Sequence, residues 1–316
     1  GIGIVVGLTG MGGGALMTPV LVLFFNVPPL TAVSSDLVAS AVMKPVGSVV
    51  HLRRGTVHLG LVKWLCLGSI PGAFSGVLIA RALGHGQVVQ DFIRIALGVA
   101  LLLAACGLIV RAYLRLLEHA RRRDGRAAPL PHGPPTLTLR VAPTVVLGLL
   151  GGLVVGLTSV GSGSLIIIAL MALYPRLTAN ELVGTDLVQA VPLVASAALG
   201  HILFGDFHLD LTTSLLVGCI PGVWVGAHLS ARAPGGIVRR ALAFVLLASA
   251  LKLLDVSTRD TGIALLIVLA VAPVLWMLVR RHHGFPALAS SRHRKAHGAT
   301  SGDGDGVPAR KQPAPE

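Results

Sequence analysis

Apolar residues in this chain gather in long continuous runs, not in the short alternating segments of a membrane β-barrel. The runs fall at about 1–25, 32–51, 58–80, 93–112, 142–174, 183–203, 208–230, 238–254 and 261–280, and are rich in Leu, Ala, Val and Gly. Most approach the roughly 20 residues that cross about 30 Å of hydrocarbon as a helix. The run 142–174 is too long for one crossing, about 50 Å at 1.5 Å per residue. At its middle stands Thr158-Ser159-Val160-Gly161-Ser162-Gly163-Ser164, which breaks a helix. The pattern therefore predicts a hairpin of two short helices turning at Gly161–Gly163.

One block of the pattern is written twice. Ser35-Asp36-Leu37-Val38 returns as Thr185-Asp186-Leu187-Val188, and His51, Gly55 and His58 return as His201, Gly205 and His208. Gly68-x-Ile70-Pro71-Gly72-x-x-x-Gly76 returns as Gly218-x-Ile220-Pro221-Gly222-x-x-x-Gly226, all at one offset of 150. Upstream, Gly7-Leu8-Thr9-x-x-Gly12-x-Gly14 returns as Gly156-Leu157-Thr158-x-x-Gly161-x-Gly163 at an offset of 149. Such duplication marks a two-fold membrane protein with its working site between the halves. By the duplication, 1–25 is the matching hairpin, turning at Gly12-Gly13-Gly14. The chain is already apolar at Gly1-Ile2-Gly3-Ile4, with no charged stretch before it. The first segment is thus expected to be truncated at its start and is not a cleavable signal.

A hairpin that crosses twice gives five crossings per repeat, and an odd number turns the second repeat upside down. The expected fold is an all-α polytopic membrane protein of two inverted-topology repeats. Each is a broken-helix hairpin plus three spanning helices, and one extra C-terminal helix follows. The repeats span 1–112 and 141–254. Residues 113–140 form a basic cytoplasmic linker, 255–281 the last helix, and 282–316 a disordered basic tail.

Charge supports that layout. Only 12% of residues are charged, and mean hydropathy is +0.81. A soluble domain carries about twice that charge. The net charge of +13 points to topology before nucleic acid, because the basic residues lie between and after the apolar runs. Arg53, Arg54, Arg111, Arg115, Arg121, Arg122, Arg123, Arg126, Arg140, Arg176, Arg232, Arg239, Arg240 and the tail fall on one side; Arg81, Arg94, Lys252 and Arg259 fall on the other. The positive-inside bias puts the first set, and the C-terminus, in the cytoplasm. Cys66, Cys106 and Cys219 lie inside apolar runs without metal spacing, as small packing residues.

The chemistry-bearing candidates follow from depth. Broken helices at membrane depth survive only where they line a cavity or are buried in protein. Their N-termini present free N–H groups and partial positive charge to an anion. Gly12, Gly13, Gly14, Gly161, Ser162 and Gly163 are candidates for a substrate cradle, or alternatively for close helix packing. Asp36 and Asp186 are expected in the first turns of their helices, either as proton-coupling groups or as partners of the helix dipole. Ser35 and Thr185 would cap those helices or donate to a ligand. His51 and His201 suit proton coupling or simply finish helices. Lys44 has no counterpart, Val194 standing in its place; it offsets an anion, pairs with Asp36 or snorkels. Gly10-x-Gly12-Gly13-Gly14 lacks the Lys-Ser/Thr of a phosphate loop, so neither nucleotide nor other cofactor is expected. No metal cluster or nucleophile triad points to an enzyme.

Thr9-Gly10-Met11-Gly12-Gly13-Gly14, Pro19, Ser34-Ser35-Asp36, His51-Leu52-Arg53-Arg54-Gly55-x-Val57, Gly161-x-Gly163 and Gly184-Thr185-Asp186 together resemble the TauE/SafE family of sulfite exporters and sulfonate permeases. The resemblance covers about 1–280. It implies a plasma-membrane carrier for sulfite, organosulfonates or related small anions, working by alternating access. It also implies that Gly12–Gly14, Ser35, Gly161–Gly163 and Thr185 surround the substrate. Asp36 and Asp186 depart from the family pattern, where many members carry an uncharged residue. That departure implies proton linkage or a different substrate. An anion channel and a non-transporting scaffold acting through the tail are the alternatives. The expected partners are a small anion and the lipid bilayer, with a homodimer left open and no nucleic acid.

Overall fold

The computed structural model describes residues 3–4, 14–84, 86–123, 139–161, 163, 165–175, 177, 179–204, 207–230 and 235–282. Among them the chain is all helical, with no strand. The helices are α1 (Gly14–Phe24), α2 (Pro29–Arg53), α3 (Leu59–Ala82), α4 (Gln87–Arg123), α5 (Val141–Thr158), α6 (Leu165–Leu173), α7 (Ala179–Phe204), α8 (Leu209–Ser230), α9 (Gly235–Leu253) and α10 (Thr258–His282). Six described segments are long and apolar enough to cross a membrane: Pro29–Arg53, Leu59–Ala82, Gln87–Val110, Val141–Thr158, Glu181–Phe204 and Thr258–Val279.

Local chemistry sets the ends. Pro28 and Pro29 open α2, where a missing N–H costs nothing and φ is already helical. Gly55, with φ of 65°, takes the chain out of α2 in a left-handed conformation that a glycine adopts freely. At α10, Ser257 Oγ accepts from the Asp260 amide at 3.1 Å and donates to the Asp260 carboxylate at 2.8 Å, a capping pair. α4 continues through the basic stretch to Arg123, about 20 Å past Val110.

The long run does break. α5 ends at Thr158, Ser159 turns left-handed at φ 58°, Gly161 and Gly163 follow at φ 130° and 98°, and α6 starts at Leu165. The Tyr174 hydroxyl, just past α6, bonds Thr144 Oγ1 at 2.6 Å and accepts from the Arg140 amide at 3.0 Å. The exit of the hairpin is thereby tied to its entrance. Of the expected first hairpin, Gly3, Ile4 and α1 are helical, while its turn at Gly12 and Gly13 lies outside the described residues.

Glycine stripes decide how the helices pack. Gly68, Gly72 and Gly76 of α3 face the backbone of α5 around Val145, Leu149 and Leu153. Gly148, Gly152 and Gly156 of α5 face the backbone of α3 at Leu65, Ser69 and Ala73. A Cβ at any of these would strike a carbonyl oxygen, so the two helices meet main chain to main chain. The same contact occurs elsewhere: Gly3 of the first hairpin lies against the backbone of Cys219 and Gly222 on α8. Gly3 and Cys219 are the repeat equivalents of Gly152 and Ser69. Each hairpin thus packs on a helix from the other copy of the duplicated block.

The remaining core is ordinary side-chain packing. Leu97, Ala100, Leu101, Ala104 and Leu108 of α4 pack with Leu242, Leu246 and Ala250 of α9. The outer helix α10 differs: its most apolar window has none of its residues buried, and Leu266, Ile267, Leu269, Leu275 and Leu278 all face outward.

Candidate substrate site

α2 and α7, the equivalent helices of the two copies, pack side by side and antiparallel. Ser34 bonds His201, and fourteen residues later Ser48 Oγ donates to the Leu187 carbonyl at 2.9 Å. The pairing repeats itself: His51 Nδ1 lies against Gly184, and these are the equivalents of His201 and Ser34.

The sequence places Asp36 and Asp186 in the first turns of their helices, and this expectation needs correcting. α2 begins at Pro29 and α7 at Ala179, so each aspartate stands two turns inside. Both are buried, at 0% and 2% exposure. A helix dipole at the interface does not account for them. A carboxylate at that depth costs several kcal/mol unless other groups replace its water.

For Asp36 those groups are visible. Its Oδ2 accepts from Thr18 Oγ1 at 3.1 Å and from Ser159 Oγ in a short bond. Thr18 belongs to α1 of the expected first hairpin; Ser159 is the residue at which the second hairpin breaks. Gly14 presses on the Ser159 carbonyl with no room for a Cβ. The two hairpins therefore meet at Asp36. Its Oδ1 and the adjacent Ser35 Oγ are buried and have no hydrogen-bond partner among the described residues. Ser35 thus stays a ligand candidate; it does not cap a helix.

Lys44, 9% exposed, adds the positive charge. It acts electrostatically on both Asp186 and Asp36, so one ammonium serves both carboxylates. Gln189, one turn along α7 from Asp186, is fully buried. Its Nε2 donates to Ser69 Oγ at 2.7 Å, and its Oε1 has no partner among the described residues.

The histidines part company. His201 is fully buried, with Nδ1 at 2.8 Å from Ser34 Oγ and Nε2 at 2.8 Å from the Gly156 carbonyl, joining α7 to α2 and α5. His51 is half-buried at the far end of α2, where its Nδ1 bonds Thr56 Oγ1 at 3.0 Å and staples the helix end. Thr185 sits at that end too: its Oγ1 accepts from the His58 amide at 3.1 Å, and His58 pairs with Glu181 at 3.1 Å. His51 and Thr185 are therefore set apart from Asp36, whereas Ser35 and His201 lie on its side.

Gly12, Gly13 and Ser162 lie outside the described residues. Gly161 accepts at its carbonyl from the Leu165 and Ile166 amides, which closes the first turn of α6 back on the break. Thr18, Gln189 and Ser69 were not among the residues the sequence singled out, and Ser34 and Ser159 entered only as parts of the Ser34-Ser35-Asp36 motif and of the helix break. A polar residue isolated in an apolar helix is the signal they offered.

Helices broken at membrane depth, meeting around buried carboxylates and one lysine, are the construction of a multi-pass membrane transporter. Comparison with known proteins makes the class specific. The chain matches the sulfite exporter TauE/SafE family over residues 1–253 and belongs to it. It is 38% identical to YjnA, a probable membrane transporter protein of Bacillus subtilis (strain 168), over 254 residues, 80% of this chain and 96% of that protein. It is 26% identical to YdhB of the same organism, named likewise, over 76% of this chain and 91% of that one. No solved structure matches it.

Proposed function

We propose that this chain is a secondary transporter that moves a small anion, sulfite or an organosulfonate, across the plasma membrane. It works by alternating access between two inverted repeats, with the C-terminus in the cytoplasm. The observation that carries the reading is Asp36, buried two turns inside α2 and held by one hydroxyl from each hairpin. A site touched by both hairpins is one that a relative movement of the hairpins, each with the helix it packs on, would open to alternate sides.

The inversion has separate support. Equivalent helices α2 and α7 pack antiparallel, and two contacts, Ser34 with His201 and Gly3 with Cys219, recur between equivalent residues. The hairpin tied at Tyr174 leaves on the side it entered; a first hairpin built alike, followed by the three crossings α2, α3 and α4, starts the second repeat on the opposite side. Lys44 supplies positive charge, and Ser35 Oγ and a protonated Asp36 Oδ1 would supply donors to an oxyanion. The family's name supports a sulfur oxyanion as substrate.

The test is uptake of radiolabelled sulfite and taurine by proteoliposomes of the purified chain. Saturable uptake with acceleration by the same anion on the opposite side is expected. Absence of flux for every sulfur oxyanion tried removes the substrate assignment, and non-saturating electrical currents favour a channel.

A further inference from the structure

The antiparallel pairing fixes where Lys44 stands. With Ser34 opposite His201 and Ser48 opposite Leu187, equivalent points of α2 and α7 cross between Val42 and Met43 on one helix and Pro192 and Leu193 on the other. Lys44 lies next to that crossing. Asp36 and Asp186 each stand about 10 Å from it along the helix axes, toward opposite membrane faces. The ammonium therefore sits between two carboxylates that the repeat makes equivalent. Lys44 itself has no equivalent, since Val194 occupies its place in the second copy. Pro45 and Pro192 fall within a turn of the crossing, and each removes one backbone hydrogen bond there.

Charge follows from this inventory. Two carboxylates and one ammonium leave the cluster with a formal charge of −1. A monoanion arriving at Lys44 would raise that to −2 in a region with little water, unless a proton arrives as well. The carboxylate placed to take it is Asp36. Asp36 is the carboxylate at which the two hairpins meet, its Oδ2 held by the neutral Thr18 and Ser159 hydroxyls. Among the described residues, the charged and titratable groups around Asp36 are Lys44 on its own helix, the Cys219 thiol on α8 and His201 on α7, with Asp186 farther along α7; α1 and the α5 break contribute the Thr18 and Ser159 hydroxyls.

Resting on the transporter reading above, we propose that Lys44 is the fixed positive charge that binds the transported anion, and that Asp36 takes up one proton with each monoanion bound. The proton comes from water to Asp36 Oδ1, the anion takes the place of a carboxylate as partner of Lys44, and the cluster keeps its charge of −1. Transport of a monoanion is then electroneutral and driven by a pH gradient. The missing second lysine makes the two aspartates unequal: one stays an anion beside Lys44, and the other is the proton carrier.

The experiment uses proteoliposomes of the full chain with a trapped pH indicator and methanesulfonate as probe. A sulfonate stays ionised over the usable pH range, so any proton that moves with it is carried by the protein. Wild type is expected to move one proton per sulfonate and to accumulate the probe toward a ceiling of about tenfold under an inward pH gradient of about 1 unit, tenfold being the factor that 1.4 kcal/mol corresponds to. Asp36→Asn should lose proton movement and accumulation, and Asp36→Glu should restore one proton per sulfonate. Lys44→Met should weaken sulfonate binding at least tenfold, and Lys44→Arg should restore it to within a few-fold. His201→Gln should leave the proton count at one. Accumulation by Asp36→Asn under the pH gradient overturns the proposal, as does wild-type affinity in Lys44→Met or loss of the proton in His201→Gln. If Lys44→Met does not fold, the Asp36→Asn arm still decides. Wild type that exchanges sulfonate without proton movement refutes this inference alone; wild type that moves no sulfur oxyanion removes the transporter reading and this inference with it.

Discussion

Replacing Ser159 by alanine tests whether the hairpins are joined through Asp36. The hydroxyl donates to a buried carboxylate oxygen that has one other donor, Thr18. A hydrogen bond to a charged group contributes about 1.5–3 kcal/mol, and one between neutral groups about 1 kcal/mol. Interhelical bonds inside membranes average only about 0.6 kcal/mol, because the unfolded chain in lipid finds other partners. Ser159→Ala is therefore expected to cost about 1.5–3 kcal/mol, well above the membrane average. With Asp36→Asn in the background the same change should cost about 1 kcal/mol or less, giving a coupling of at least about 0.5 kcal/mol. Reversible unfolding in mixed micelles, followed by tryptophan fluorescence, measures both arms of the cycle. A cost below about 0.5 kcal/mol in the wild-type background, with strict additivity in the double variant, would show that Ser159 and Asp36 do not share a bond that matters.

Three further outcomes follow from the packing. Gly152→Ala puts a methyl group on the Ser69 backbone and should cost about 1–3 kcal/mol, whereas Gly218→Ala, with nothing near its Cβ, should be neutral or stabilising by up to about 1 kcal/mol; parallel unfolding curves compare them. Gly161→Ala forces a side chain onto φ 130° and should cost about 1–3 kcal/mol, together with a loss of transport measured in proteoliposomes. Arg94→Ala breaks an exposed 2.6 Å pair with Asp255 and should shift stability by less than about 1 kcal/mol, with transport unchanged.

The sequence carried the break at Ser159–Gly163 and the pairing of blocks, because glycine and hydroxyl residues inside a long apolar run leave a helix no other course. It misplaced Asp36 and Asp186. Pro29 and Ala179 start their helices a few residues ahead of the apolar runs, and run boundaries mark lipid contact, which is not where hydrogen bonding begins. Ser159, Thr18 and Gln189 were not legible as a site, since one hydroxyl or amide among leucines and glycines has no period; only the partner brought by tertiary packing gives it a role. The histidines show the limit most clearly. His51 and His201 are interchangeable as letters in a repeat. His201 finds a hydroxyl on Ser34, while the equivalent of Ser34 beside His51 is Gly184, which has none, and His51 turns to Thr56 instead.

The glycine contact between α3 and α5 bears on how the molecule can move. Two helices that touch through main chain, carbonyl against Cα, cannot slide past one another without collision, so α3 and α5 travel as one piece. The contact of Gly3 with Cys219 and Gly222 joins the first hairpin to α8 in the same way. Each of these pieces is drawn from both ends of the chain. A cut in the polypeptide between 123 and 139 would leave two fragments, neither of which holds both members of a glycine-packed pair; they would have to find each other before either pair could form.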